Sequence, residues 1–288
     1  YGIRCHNFNP LMPIVAIVMN HRDHRKITVI DGKVGFTGGF NLADEYVNRI
    51  QKYGLWKDAS VKIEGDAVDS LTAMFLEMWN TIEYSNETFE QYFHCNCKKK
   101  EKVGGFVQPY CDTPLDHECV GENVYMNMIN NAKEYVYCYT PYLIIDNEMM
   151  EAFCLAAKSG VDVRIVTPHI PDKKIVFKLT RSYYPQLIDA GVKIYEYTPG
   201  FLHSKCFLSD DRIAACGTIN LDYRSLYLHF ECGCLLYETD AVLQMKEDML
   251  KTFALGTEIM KEFCDNTNGL LALYNHFKIV CTFNVIVL

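Results

Sequence analysis

His24-Arg25-Lys26-Ile27-Thr28-Val29-Ile30-Asp31-Gly32 points to a duplicated architecture, because its chemistry returns at His203-Ser204-Lys205-Cys206-Phe207-Leu208-Ser209-Asp210. Each copy runs on to a small-residue turn and an amide, Gly38-Gly39-Phe40-Asn41 in the first and Gly217-Thr218-Ile219-Asn220 in the second. The His, Lys, Asp, Gly and Asn of the two copies all keep one offset of 179 residues. Five positions holding one register across so long a gap identify two related halves.

The run Ile27 to Ile30 is rich in β-branched residues and is closed by the turn pair Asp31-Gly32, so His24 to Ile30 is expected as a strand. His203 to Leu208, closed by Ser209-Asp210-Asp211, reads the same way. Residues two apart on a strand share a face, which sets each His beside its Lys. The next strands, Val34 to Thr37 and Ile213 to Cys216, lead into turns where small residues permit close approach and Asn41 or Asn220 can donate a hydrogen bond. An imidazole beside a fixed cation and an amide suits a phosphodiester. One His attacks phosphorus, the other protonates the departing oxygen, and Lys26, Lys205, Asn41 and Asn220 hold the charged oxygens. No metal and no cofactor is called for. Each His also needs an acceptor on its other ring nitrogen. The carboxylates downstream of the motifs, Glu45 and Glu231, are the expected acceptors for the opposite half's His, and Asp31 and Asp210 complete the repeated motif at its turns.

The pattern His-x-Lys-x4-Asp-x6-Gly-(Gly/Ser/Thr)-x-Asn, present twice, resembles the phospholipase D superfamily. The surrounding text is similar to bacterial cardiolipin synthases: Asp23-His24-Arg25-Lys26, Gly38-Gly39-Phe40-Asn41-Leu42-Ala43-Asp44-Glu45-Tyr46, Trp56-Lys57-Asp58, Thr140-Pro141-Tyr142, Gly200-Phe201-Leu202-His203-Ser204-Lys205, Asn220-Leu221-Asp222-Tyr223-Arg224-Ser225 and His229-Phe230-Glu231. The resemblance runs from about Asp23 to about Phe263. It implies an α/β fold of two phospholipase D-like α/β/α domains related by a pseudo-two-fold, the first incomplete at its N-terminus. Residues 1–105 are then the C-terminal part of the first domain plus a linker, and residues 106–288 the second domain with a C-terminal interfacial segment. Tyr1 is not an initiator Met, so a fragment is expected. The implied enzyme is a phosphatidyltransferase that turns two phosphatidylglycerol molecules into cardiolipin and glycerol through a phosphatidyl-histidine. His24, Lys26, Asp31, His203, Lys205 and Asp210 carry the family motif, with His24 attacking. The implied partners are phosphatidylglycerol and the membrane surface, at the cell membrane with the catalytic part facing the cytoplasm.

Composition narrows the alternatives. With 28 Lys and Arg against 36 Asp and Glu, the net charge of −8 opposes a nucleic-acid groove, which must neutralise many phosphates. Hydrolysis of phospholipids by the same residues, with water as acceptor, is the competing activity. Transfer requires an alcohol in near-attack geometry and solvent kept out. Tyr142, Tyr197, Phe201, Tyr223 and Tyr227 are aromatic candidates for such a pocket, or ordinary core. Thirteen cysteines scattered through apolar segments, among them Cys138, Cys154, Cys216 and Cys281, read as reduced thiols. His94-Cys95-x-Cys97 lacks a second ligand pair for zinc. Gly269 to Leu288 is the most apolar long stretch, broken by Asn275, His276, Lys278 and Asn284, and is expected to rest on a bilayer or pack in the core.

Between and after the motifs, helical spacing marks Ala67 to Asn80, and Ser85 to Gly105, with its lysine run at Lys98 to Lys102, is the expected linker. Helix and strand then alternate: Glu122 to Lys133 helix, Tyr135 to Thr140 strand, Asn147 to Lys158 helix, Val161 to Thr167 strand, Lys173 to Ala190 helix and Val192 to Tyr197 strand. His229 to Tyr237 and Ala241 to Phe253 add a strand and a closing helix. That alternation predicts a largely parallel sheet.

Overall fold

The computed structural model describes residues 2–9, 21–83, 89–93 and 104–262. The 269–288 segment, the His94-Cys95-x-Cys97 group and the 98–102 lysine run lie outside the described residues. The first half contributes β1 (Ile27–Ile30), β2 (Val34–Gly38) and β3 (Ser60–Glu64) as an antiparallel sheet in the order β1-β2-β3, followed by helix α1 (Ala67–Ile82). β1 and β2 are joined through Asp31 and Gly32, both at positive φ, which closes the hairpin in register Ile30 to Val34.

The second half is larger. In chain order it holds β4 (Phe106–Asp112), α2 (Val120–Asn131), β5 (Tyr135–Tyr139), β6 (Leu143–Ile144), α3 (Asn147–Lys158), β7 (Asp162–Pro168), α4 (Lys174–Asp189) and β8 (Lys193–Tyr197). It continues with β9 (Cys206–Ser209), β10 (Ile213–Gly217), β11 (Leu221–Asp222), α5 (Tyr223–Tyr227), β12 (Glu231–Tyr237), α6 (Asp240–Leu255) and β13 (Gly256–Glu258). Eight of these strands form one sheet in the order β13-β8-β7-β5-β9-β10-β12-β4, and β6 pairs with β11 separately.

The sheet is mixed, which corrects the largely parallel expectation. Only β5, β7 and β8, linked through α3 and α4, pair in parallel. The motif strand β9 enters antiparallel to β5, and its hairpin partner β10 and then β12 and β4 continue antiparallel. Alternation still governs burial. On β5, Val136 and Cys138 face the core under α2, α3 and α4, while Tyr135, Tyr137 and Tyr139 face a second core with Val242, Met249 and Phe253 of α6. Ile63, Val68, Leu71 and Met74 of the first half pack into that second core. The two halves therefore share buried apolar surface, and neither is an appendage of the other. The described cysteines are free, most of them buried as small apolar side chains.

The repeated turn has a structural task. Asp31 and Asp210 both adopt φ 53°, a left-handed conformation that Asp tolerates better than most residues. Asp210 lies past the end of β9, roughly 20 Å along extended chain from His203 at about 3.3 Å per residue. Its carboxylate accepts from the backbone N–H of Lys133 at 2.7 Å, Glu134 at 3.0 Å and Tyr135 at 2.9 Å, fixing the start of β5 beside β9. Asp31 and Asp210, grouped with the motif residues in the sequence, thus both lie at turns, and the Asp210 carboxylate holds the start of β5. Asp210→Ala should cost about 2 kcal/mol in urea unfolding through the orphaned amides, while the His24–Glu231 pairing persists; an unchanged midpoint would count against this role.

Candidate active site

Neither histidine sits within its strand. β1 begins at Ile27 and β9 at Cys206, each three residues after its His. The preceding residues leave their own sheet and pair with the other half. Phe230 N–H donates to Arg22 O and His24 N–H to Phe230 O, both at 2.9 Å. Lys57 N–H donates to Phe201 O at 2.9 Å and His203 N–H to Lys57 O at 2.7 Å. Parallel bridges at Asp23–Phe230 and Lys57–Leu202 complete two matching clasps.

In each clasp the residue after the bridge is a carboxylate. Glu231 follows Phe230, and both its oxygens lie 2.9 Å from His24 Nδ1. It also accepts from Ser225 Oγ at 2.5 Å and from the Thr218 hydroxyl. Asp58 follows Lys57 and places Oδ2 2.7 Å from His203 Nδ1. Both carboxylates are fully buried. A buried carboxylate at Nδ1 keeps the proton there and leaves Nε2 as the reactive nitrogen. Burial pushes Glu231 upward, but the His24 charge and the donors around it hold its carboxyl well below the ordinary range. Burial likewise works against Asp58, and the His203 hydrogen bond and Lys205 charge still bring it down.

Asp58, and not Glu45, is therefore the carboxylate at His203. Glu45 is a half-buried loop residue whose carbonyl accepts from Asn48 N–H. Seventeen residues lead from Asn41 to Asp58 and eleven from Asn220 to Glu231, so the acid falls out of the 179-residue register by six. Aligning Trp56-Lys57-Asp58 with His229-Phe230-Glu231 is the signal that finds it. The glycine-to-threonine difference between the motifs follows from the same pairing. A Cβ on Gly39 would stand 2.0 Å from Asp58 Oδ1, whereas its counterpart Thr218 turns its hydroxyl onto the longer Glu231.

The lysines lie under the histidines. Lys26 Nζ donates to His24 O at 2.5 Å and Lys205 Nζ to His203 O, with Lys205 Nζ also 2.9 Å from His203 Nδ1. Lys205 is 1% exposed, and burial, reinforced by the Lys26 charge, pushes its ammonium down to about 7. Burial lowers Lys26 too, against the pull of Glu231. Burial and the adjoining Lys205 push His203 down to about 3, with Asp58 opposing. Two ammonium groups beside two imidazoles, whose Nδ1 atoms are met by Glu231 and Asp58, suit a negatively charged group on the Nε2 side. Asn220 is buried here, bonded through Nδ2 to Ser225 Oγ at 3.2 Å, with Oδ1 unpartnered. Asn41 is exposed and bonds Tyr46 OH at 2.5 Å.

The surroundings break the symmetry. His203 is walled by Trp56 at 5.1 Å, Tyr46 at 5.2 Å and Phe201 at 5.9 Å between ring centroids. Opposite, the counterpart of Trp56 is His229, 5.5 Å from His24 and with its Nδ1 3.6 Å from Glu231. His24, His229 and Glu231 are the groups among the described residues that gather three metal-ligand atoms. Of the five aromatics expected to line a pocket, Phe201 does so, with Tyr142 behind it at 6.5 Å. Tyr197 is core, Tyr223 faces outward, and Tyr227 bonds Asp146 at 2.7 Å and Glu122 at 2.9 Å. The sequence reading missed Tyr46 and Trp56, which reach His203 from the first half.

Residues 125–252 match the family profile described as "Cardiolipin synthase, PLD-like domain". Over these residues the chain is similar to the phospholipase D-like domain of cardiolipin synthases. It is 54% identical over 260 residues to an uncharacterized protein of Streptococcus mutans, covering 90% of this chain and 56% of that one. Cardiolipin synthases of Alkalihalophilus pseudofirmus and Geobacillus thermodenitrificans are 40% and 41% identical over 86% and 90% of the chain, and 49% and 51% of their own lengths. The phospholipase D-like chain thus spans about half the length of the curated relatives it matches. The phosphatidylserine synthase structure of Haemophilus influenzae shares the fold, with TM-score 0.67 and 16% identity over 91% of this chain and 70% of that one.

The buried ammonium yields a stability prediction. Because Lys205 has a folded value near 7 against an ordinary 10.5, the fold carries its cost in full below about pH 7 and sheds it as pH rises toward 10.5. Lys205→Met should raise the urea midpoint, most below that lower value and progressively less above it; a midpoint lowered at every pH would refute the account.

Proposed function

We propose that this protein is the catalytic part of a cardiolipin synthase, transferring a phosphatidyl group between two phosphatidylglycerol molecules to give cardiolipin and glycerol. The observation that carries the reading is the pair of carboxylate-held histidines, one from each half, set over a buried Lys205 and a half-buried Lys26. His24 Nε2 attacks phosphorus as the bond from phosphorus to the glycerol oxygen breaks, and His203 delivers a proton to that oxygen. The product is a phosphatidyl-histidine and free glycerol. His203 then takes the proton from a hydroxyl of the second phosphatidylglycerol, whose oxygen bonds phosphorus as the bond to His24 breaks. Glu231 stabilises the charge that grows on His24, as the Asp of a hydrolase triad does for its His.

Lys26, Lys205, Asn41 and Asn220 serve the phosphate oxygens, and the substrate's negative charge restores full protonation of Lys205. Trp56, Tyr46 and Phe201 keep water from the base that activates the second nucleophile, which favours an alcohol presented by a lipid. Residues 1–105 serve as the C-terminal part of the first half-site and residues 106–288 as the second, working at the membrane surface on its cytoplasmic side.

One observation favours the reverse assignment of the histidines. A nucleophile must be neutral, and His203 is the imidazole that burial and Lys205 hold neutral. His203 as nucleophile and His24 as acid is therefore the second reading. Rapid quenching with labelled phosphatidylglycerol, followed by peptide mapping, assigns the attack to whichever His carries label.

Mass spectrometry of lipids after incubation with phosphatidylglycerol, without added metal, should find cardiolipin as main product; phosphatidic acid in its place would make the protein a hydrolase. Glu231→Gln and Asp58→Asn should each lower turnover on the order of a hundredfold or more, with little change in KM. Normal turnover in either variant would remove the orienting role of that carboxylate.

A further inference from the structure

The six residues that displace Asp58 from the repeat lengthen the loop between Asn41 and Asp58. In the second half the corresponding chain folds in as β11 and α5, burying Leu221 and Leu226. In the first half it arches over His203 instead. Asn48, at φ 57°, ties the arch down through both backbone groups of Trp56, with Nδ2 2.9 Å from Trp56 O and Oδ1 2.7 Å from Trp56 N. Arg49 N–H adds a bond to Asp44 O at 3.0 Å. The inner side of the arch delivers Tyr46 and Trp56 to His203.

Its outer side has a different composition. Val47 and Ile50 are more than half exposed, and Arg49 and Lys52 project beside them. From Val47 to Lys52 there are two cations and no acid, within a chain of net charge −8. Arg49 stands 3.6 Å from Asp44 with both side chains largely exposed, a surface pair that exchanges readily for another anion. Branched apolar side chains set beside cations are what an anionic bilayer surface satisfies and water does not. The patch adjoins the centre where, on the reading above, a bilayer lipid must arrive.

We propose that the Val47–Lys52 arch docks on an anionic phospholipid bilayer, Val47 and Ile50 entering the interface and Arg49 and Lys52 meeting lipid phosphates, so that headgroups are fed to the His24–His203 centre. The proposal rests on the phosphatidyl-transfer reading.

The test compares the wild-type protein with Val47→Ser/Ile50→Ser and Arg49→Gln/Lys52→Gln. Binding to phosphatidylglycerol vesicles is measured by co-sedimentation, and cardiolipin formation both on vesicles and on short-chain phosphatidylglycerol dispersed below micelle formation. Each double variant should bind vesicles about tenfold more weakly and show a raised apparent KM there, with its rate on dispersed lipid within about twofold of wild type. The effect of Arg49→Gln/Lys52→Gln should vanish on neutral phosphatidylcholine vesicles. Unchanged vesicle binding overturns the proposal, as does a parallel loss on dispersed lipid, which would make the arch a support of the centre only. Loss of self-association in Val47→Ser/Ile50→Ser with vesicle binding intact would make the patch a protein contact and also overturn it. Wild-type protein that binds vesicles through the arch yet makes no cardiolipin from either substrate form would instead sink the transfer reading.

Discussion

Two reciprocal clasps hold the site together: the backbone just before β12 and just before β3 pairs with the segment that carries the other half's histidine. A backbone pair such as His24 N–H to Phe230 O sets the segment's height, and the next side chain, Glu231, then meets the ring at Nδ1. The ring's position and the partner of its Nδ1 are thereby fixed by one element. Because the identical arrangement recurs with Lys57, Asp58 and His203, the two reactive nitrogens are delivered to a common space by backbone geometry, without reliance on long flexible side chains.

Energetically this arrangement is expensive. Lys205 and His203 are buried against each other, and both are driven away from their charged forms. The cost is carried by the apolar surface shared between the halves, where the tyrosines of β5 and Met249 and Phe253 of α6 meet Leu71 and Met74 of α1 in one core. On the proposed function, an anionic substrate would complete a site poised in this way.

The repeat is symmetric and the site is not. Trp56 against His229, Gly39 against Thr218 and Asp58 against Glu231 occupy matching places with different chemistry, so one histidine is dry and aromatic-walled and the other polar. On the proposed mechanism, two successive steps at one phosphorus need unlike neighbours, one to carry the covalent bond and one to move protons. The longer first loop adds the outer face argued above to meet a bilayer.

Much of the fold was legible in local sequence. The span of α3 and the hairpins after each motif were readable because their apolar periods, caps and turn residues act over a few positions, and Asp146 does cap α3 through Met149 N–H. His24, Lys26, His203 and Lys205 were legible because duplication printed them twice. The antiparallel entry of β9 beside β5 and the pairing of β6 with β11 were not, since strand neighbours are chosen by packing between distant segments. Asp58 was hidden because a six-residue insertion moved it out of register, and Glu45 stood in its place by sequence spacing alone. Asp31 and Asp210 carried the motif's letters, yet only the turn geometry shows Asp210 holding the amides of β5. The sequence by itself determined the reactive groups and their number, because chemistry resides in residue type. Which carboxylate meets which histidine, and which aromatics wall His203, came only from the folded chain, because those are distances between residues far apart in sequence.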